Sequence, residues 1–208
     1  MQSTRPAAVA GMFYPGQADE LAATVDALLA AAETVSQPPA KLLIVPHAGY
    51  IYSGATAACA YATLKPQASR IRRVVLLGPT HRVAVRGLAL PESRSFSTPL
   101  GQIELDEAAI AQLAPLPQIV FSDAAHAQEH SLEVHLPFLQ RLLDDFTLIP
   151  LAVGQATPEA VAEVLELLWG GPETLIIISS DLSHFLPYAA ANQRDLETCQ
   201  HILQLDGH

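Results

Sequence analysis

The chain reads as an α/β protein with a mostly parallel or mixed central sheet and helices on both faces. Three observations predict this. Short apolar runs such as "RVVLLG" and "TLIIISS" recur along the sequence. Helical segments alternate with them, and half of the 208 residues are hydrophobic while only 15% are charged. That apolar content can fill a sizeable core, so residues 1–208 are read as one domain.

Helical spacing of Ala, Leu and Val predicts a first helix over 17–32. "KLLIVP" (41–46) is short, apolar and ended by Pro46, as a buried strand would be. The small-residue segment 53–64 suits a helix packed closely on a sheet, with Ser53 as its N-cap. "RVVLLG" (73–78) is a second strand and "RGLALP" (86–91) a shorter one, placed at an edge. Helices follow over 106–114 and 131–146, the latter with Pro137 in a first turn or at a kink. Strands at 147–154 and 174–180 flank a helix that starts at Thr157-Pro158 and stops at Gly170. A last helix covers 188–204.

Composition excludes several function classes. A formal charge of −10 opposes binding to a phosphate backbone or an anionic membrane. The apolar runs fall far short of the roughly 20 residues that span a bilayer, and the N-terminus lacks a secretory signal pattern. A soluble cytoplasmic protein is therefore expected. Cys59 and Cys199 fall in helical stretches and suit a reducing compartment. No P-loop, G-x-G-x-x-G, G-x-S-x-G or H-E-x-x-H pattern occurs.

In parallel sheets, ligands bind beyond the carboxyl ends of the strands. Three predicted strands deliver a histidine there: His47 in "VPHAGY", His81 in "GPTH" and His184 in "SSDLSH", the last beside Asp181. On one sheet edge these imidazoles can converge, and neutral imidazole suits Fe, Cu, Zn or Ni. A fourth cluster, "AQEHSLEVH", brings Glu129, His130, Glu133 and His135 to a helix start, with His130 and Glu133 on one face as candidate pocket residues. By composition alone, Glu129 and Glu133 read as a solvated helical face, and His126, His201 and His208 as residues without a chemical role.

"RPAAVAGMFYPG", "PHAGYIYSG", "LLGPTH", "FSTPLG", "EHSLEVHLPFL" and "ISSDLSH" occur in the order found in the Memo family, the protein B of AmmeMemoRadiSam systems. The resemblance covers the chain from Arg5 to about residue 205. It implies a fold like that of class III extradiol ring-cleaving dioxygenases, which use non-haem Fe(II). It also implies a metal site of His47, His81 and His184, with His184 serving as acid/base too and Asp181 beside it, and that Phe13 lines the pocket mouth. Fe(II) is the implied cofactor, with Cu or Zn as competitors. The implied reaction is redox chemistry on a small aromatic or phenolic substrate. The alternative is a non-catalytic protein using the same pocket for a phosphopeptide or to assemble with a radical-SAM partner. The family's late "CG" cysteine has no counterpart here, and Cys199 does not match its position. A C-terminally truncated fold with an incomplete ligand set, and a sheet edge open to homo-oligomerisation, are thus expected.

Overall fold

The computed structural model of the chain describes residues 3–33 and 38–206. His208 lies outside these residues. In chain order the elements are β1 (Thr4–Arg5), α1 (Ala18–Ala31), β2 (Leu42–Val45), α2 (Tyr50–Ala62), β3 (Arg73–Pro79), β4 (Leu88–Leu90), β5 (Ser95–Thr98) and β6 (Gly101–Glu104). They continue with α3 (Glu107–Leu113), β7 (Ile119–Phe121), α4 (Asp123–Ala127), α5 (Leu136–Leu142), β8 (Thr147–Val153), α6 (Pro158–Leu168), β9 (Thr174–Ser179) and α7 (Tyr188–Gln204).

Six strands form the main sheet in the order β2-β9-β3-β8-β4-β7. The first four run parallel, and β4 meets β8 antiparallel while pairing parallel with β7. The sheet is therefore mixed, with helices on both faces. Alternation along β3 shows the layering. Val74 and Leu76 join a core with α1, α2 and α5 (Leu21, Val25, Tyr61, Phe138), while Val75 and Leu77 join another with α3 and α6 (Leu113, Val164, Leu168). A strand buried on both faces must be apolar at every position, which is why these runs do not alternate. A smaller sheet, β1-β5-β6, adds Phe96 and Ile103 to the first of these cores.

Three local expectations need correction, and one element was not anticipated. The segment 86–91 supplies β4, but it is not the sheet edge, because Leu88–Leu90 pairs with Ile119–Phe121 outside it. The cap of α2 is Gly49; Ser53 lies inside the helix, where its hydroxyl donates to the Ala48 carbonyl. The stretch 131–146 is a 3-10 turn (Glu133–His135) running into α5, with Pro137 in the first turn. Finally, the β5–β6 hairpin has no apolar signature in "SFSTPLGQIE" and was not expected.

Helix α6 follows its signals closely: the Thr157 hydroxyl accepts from the Ala160 N–H, and Gly170 takes positive φ just beyond the end. Helix α7 buries no residue, and Phe185, Tyr188, Leu196 and Leu203 are exposed. Among the described residues, no helix is long and apolar enough to cross a membrane.

Candidate metal centre

Strand β2 ends one residue before Pro46 and His47, and β3 ends at Pro79, two residues before His81. Both strands flank β9, so these histidines emerge on either side of Ser179. The loop before the Glu133–His135 turn adds His130. A ring nitrogen from each of His47, His81 and His130 lies within 4.8 Å of the others. His81 and His130 stack at 4.4 Å, and His47 meets their rings edge-on at 5.3 and 5.6 Å.

The hydrogen bonds behind these rings fix their tautomers. The Ser179 hydroxyl donates its one proton to the Ser131 carbonyl (2.7 Å), so it must accept from His47 Nδ1 (2.7 Å). That leaves His47 Nε2 with a free lone pair. His81 Nδ1 donates to Glu129 Oε1 (2.9 Å), a carboxylate that can only accept, so the neutral ring carries its lone pair on Nε2. Glu129 also receives the N–H groups of His81 (2.6 Å), His130 and Ser131 (both 2.9 Å). His130 Nδ1 lies 3.4 Å from its Oε1.

Electrostatics agree with this pattern. Burial lowers the His47 pKa to about 4, outweighing the opposing pull of Asp181. Burial also depresses His130, against the attraction of Glu129. Burial tends to raise Glu129, but its bonds from Ser131 and His81 prevail and hold the carboxyl below its usual range. At neutral pH His47 and His130 are thus neutral beside an anchoring carboxylate, as metal-binding histidines require. A Cβ on Gly78 would come within 3.0 Å of Ser179 Cβ and 2.9 Å of Leu132, so a larger residue here would press on the anchoring serine and push the Leu132 side chain aside.

A cavity of about 490 Å³ opens at the histidines, lined by His47, His81, Asp181 and His184 with Leu77, Val153 and Ile178 among its apolar walls. Asp181 Oδ1 accepts the His47 N–H (2.7 Å), while Oδ2 stands 3.7 Å from His47 Nε2 and 3.6 Å from His184 Nε2. It therefore holds the turn and faces both rings. His184 Nδ1 donates to the Leu182 carbonyl (2.8 Å), and its side chain is 58% exposed. Expected as the third histidine of the metal site, His184 lies outside the three-histidine cluster, whose third member is His130. Phe13 packs its ring 4.6 Å from His130.

Glu133, grouped with His130 from the sequence, serves a different place. Its carboxylate pairs with Arg5 and accepts from the Ala8 and Val9 N–H groups (2.8 and 3.0 Å) and the Tyr14 hydroxyl (2.5 Å). The reading of Glu129 and Glu133 as a solvated face is overturned, since they are 2% and 0% exposed. Glu133 ties down the N-terminal segment that carries Phe13. Burial, then the nearby Glu133 charge, holds the Tyr14 hydroxyl protonated. His126 is buried and hydrogen-bonded, with Nε2 donating to Ala89 O (3.0 Å), and His201 is exposed; both lie outside the cluster. Sequence reasoning assigned no role to Ser179 or Glu129. The signal for Glu129 was its place directly before His130, and for Ser179 its place at the end of the central strand.

The Memo-like protein family model matches residues 5–208. A MEMO1 family protein of Ignicoccus hospitalis is 36% identical over 220 residues, covering 97% of this chain and 76% of the relative. One from Aquifex aeolicus is 37% identical over 200 residues, 92% of this chain and 71% of the relative. Protein MEMO1 of Xenopus laevis is 34% identical over 189 residues, 87% of this chain and 63% of the relative.

Proposed function

The chain belongs to the Memo family, and from that premise we propose that it is a mononuclear metal protein with dioxygenase-like redox chemistry on a small aromatic or phenolic compound. One observation carries the proposal: three imidazoles converge within 4.8 Å, and in two of them the Nδ1 hydrogen bond leaves Nε2 as the donor atom of the neutral ring. Such a set fits a divalent first-row metal, with His47, His81 and His130 as its protein ligands. Fe(II) is the metal the dioxygenase resemblance favours, while Cu and Zn compete for the same donors. When bound, the metal would supply Lewis acidity and, if iron, one-electron chemistry.

The remaining steps belong to the protein. The apolar walls, Leu77, Val153 and Ile178, receive the flat face of a ring and limit water. In neutral His184 the Nδ1 proton is committed to the Leu182 carbonyl. Nε2 can therefore accept a substrate hydroxyl proton, with Asp181 Oδ2 3.6 Å away to stabilise the imidazolium. Asp181 and His184 are thus the proposed proton-handling pair.

Anaerobic titration of chelator-treated, untagged protein with Fe(II), Cu and Zn tests this reading. Near-stoichiometric binding that disappears in a His47→Ala/His81→Ala variant is the expected result, and equal metal content in both proteins would overturn it. An assembly role is the second reading, favoured by the exposed apolar side chains of α7. If a variant lacking all three cluster histidines still co-purified with a radical-SAM partner, that reading would gain over the enzymatic one.

A further inference from the structure

Pro79, Val153 and Gly154 wall the histidine cavity, and the same three residues line a neighbouring groove of about 680 Å³. The rest of that groove is Thr80, Ala84, Val85, Arg86 and Gln155. No carboxylate lines it, although acidic residues outnumber basic ones 21 to 11 in this chain. The Thr80 hydroxyl, the Arg86 guanidinium and the Gln155 carboxamide have no protein partner among the described residues. All three can donate hydrogen bonds, and one is a permanent cation.

Their placement is built into the backbone. Arg86 and Gln155 are bridge partners, clamped by Gln155 N–H to Val85 O (2.7 Å), Gly87 N–H to Gln155 O (2.8 Å) and Gly154 N–H to Gly87 O (2.9 Å). A Cβ on Gly154 would lie 2.1 Å from Val85 O, so this crossing exists only because the residue is glycine. Thr80 is tied to the same strand end through its N–H to Val153 O (3.0 Å). A rigid frame thus holds unpartnered donors beside the histidine cavity.

We propose that this groove is an anion-binding subsite of the histidine cavity. It takes the carboxylate or phosphate group of a small aromatic ligand, and Arg86 is the residue that sets the preference. The inference rests on reading the cavity as a substrate site, and it names the substrate class: aromatic acids or aryl phosphates rather than neutral phenols. A guanidinium with two neighbouring neutral donors matches the planar, multi-oxygen geometry of either anion.

The test uses metal-free full-length chain and three probes: phenol, 4-hydroxybenzoate and phenyl phosphate, titrated by calorimetry at low and high salt. At least one anionic probe is expected to bind about tenfold or more tighter than phenol, with the advantage shrinking as salt rises. Which anion binds better distinguishes carboxylate from phosphate. Arg86→Ala and, separately, Thr80→Val should reduce that preference, and Arg86→Ala should leave metal affinity unchanged. Equal binding of all three probes, no saturable binding of any, or an unaltered preference in Arg86→Ala would each overturn the proposal. Because preference is read without metal, it stands or falls separately from the metal titration.

Discussion

His130 and His184 border the same site but are held in different ways. His130 sits against Phe13, stacks on His81 and has Glu129 at its backbone and ring. His184 has one bond, to a carbonyl two residues away, and an exposed ring facing Asp181. A ligand for a metal must be fixed before the metal arrives, whereas a group that moves protons needs access and some freedom. The anchored corner is thus suited to coordination and the open one to proton transfer.

The largest effect should come from the anchored corner. Replacing His47, His81 or His130 singly by Ala should lower metal affinity by about 100-fold or more, whereas His184→Ala stays within about threefold. Competition titration against a chelating dye measures both, and a His184→Ala loss as large as the others would erase the distinction. Next, Glu133→Ala leaves Arg5 buried without its partner and frees the segment bearing Phe13. A stability loss of about 3–5 kcal/mol is expected in urea unfolding.

Buried histidine outside the cluster provides a third contrast. Burial, resisted by the bond to Ala89, lowers the His126 pKa to about 4 from an ordinary 6.5. Its neutral form is the folded one, so its contribution is complete above pH 6.5 and is lost as pH falls toward 4. The shift corresponds to about 3 kcal/mol at the acid end of that window. Urea unfolding in chelator from pH 7 to 4 should show this decline, and a His126→Gln variant should show a shallower one. A smaller loss of metal affinity than from removing a cluster histidine is expected of Glu129→Gln, which weakens the anchor without removing a ligand. Metal affinity should fall about 10- to 100-fold with the fold intact by circular dichroism.

Most of the fold was legible because its strands are buried on both faces and so appear as unbroken apolar runs. Val74 to Leu77, Leu148 to Leu151 and Leu175 to Ile178 all became strands. The β5–β6 hairpin was missed because "SFST" and "GQIE" carry no apolar run or strong alternation. The position of β4 was misjudged because its outer neighbour, Ile119–Phe121, is only three residues long. At the site, strand-end placement identified His47 and His81. Glu129 and Glu133 looked solvated because their identity as buried anchors depends on distant residues. Glu133 meets Arg5 across 128 positions and Glu129 meets His81 across 48, separations no local pattern reports. His130 competes with His184 for the third place in the cluster, and only the loop path before the Glu133–His135 turn decides between them.

Strand β9 lies between β2 and β3, although it follows both by more than ninety residues in the chain. During synthesis, therefore, the two strands that lead to His47 and His81 have no shared neighbour until residues 174–179 leave the ribosome. Apolar strand surface must wait through that interval, a delay that favours slow, non-local closure and exposure to mispairing. The histidine cluster accordingly cannot assemble before β9 is made, and Ser179, which orients His47, arrives at the end of the same closing strand.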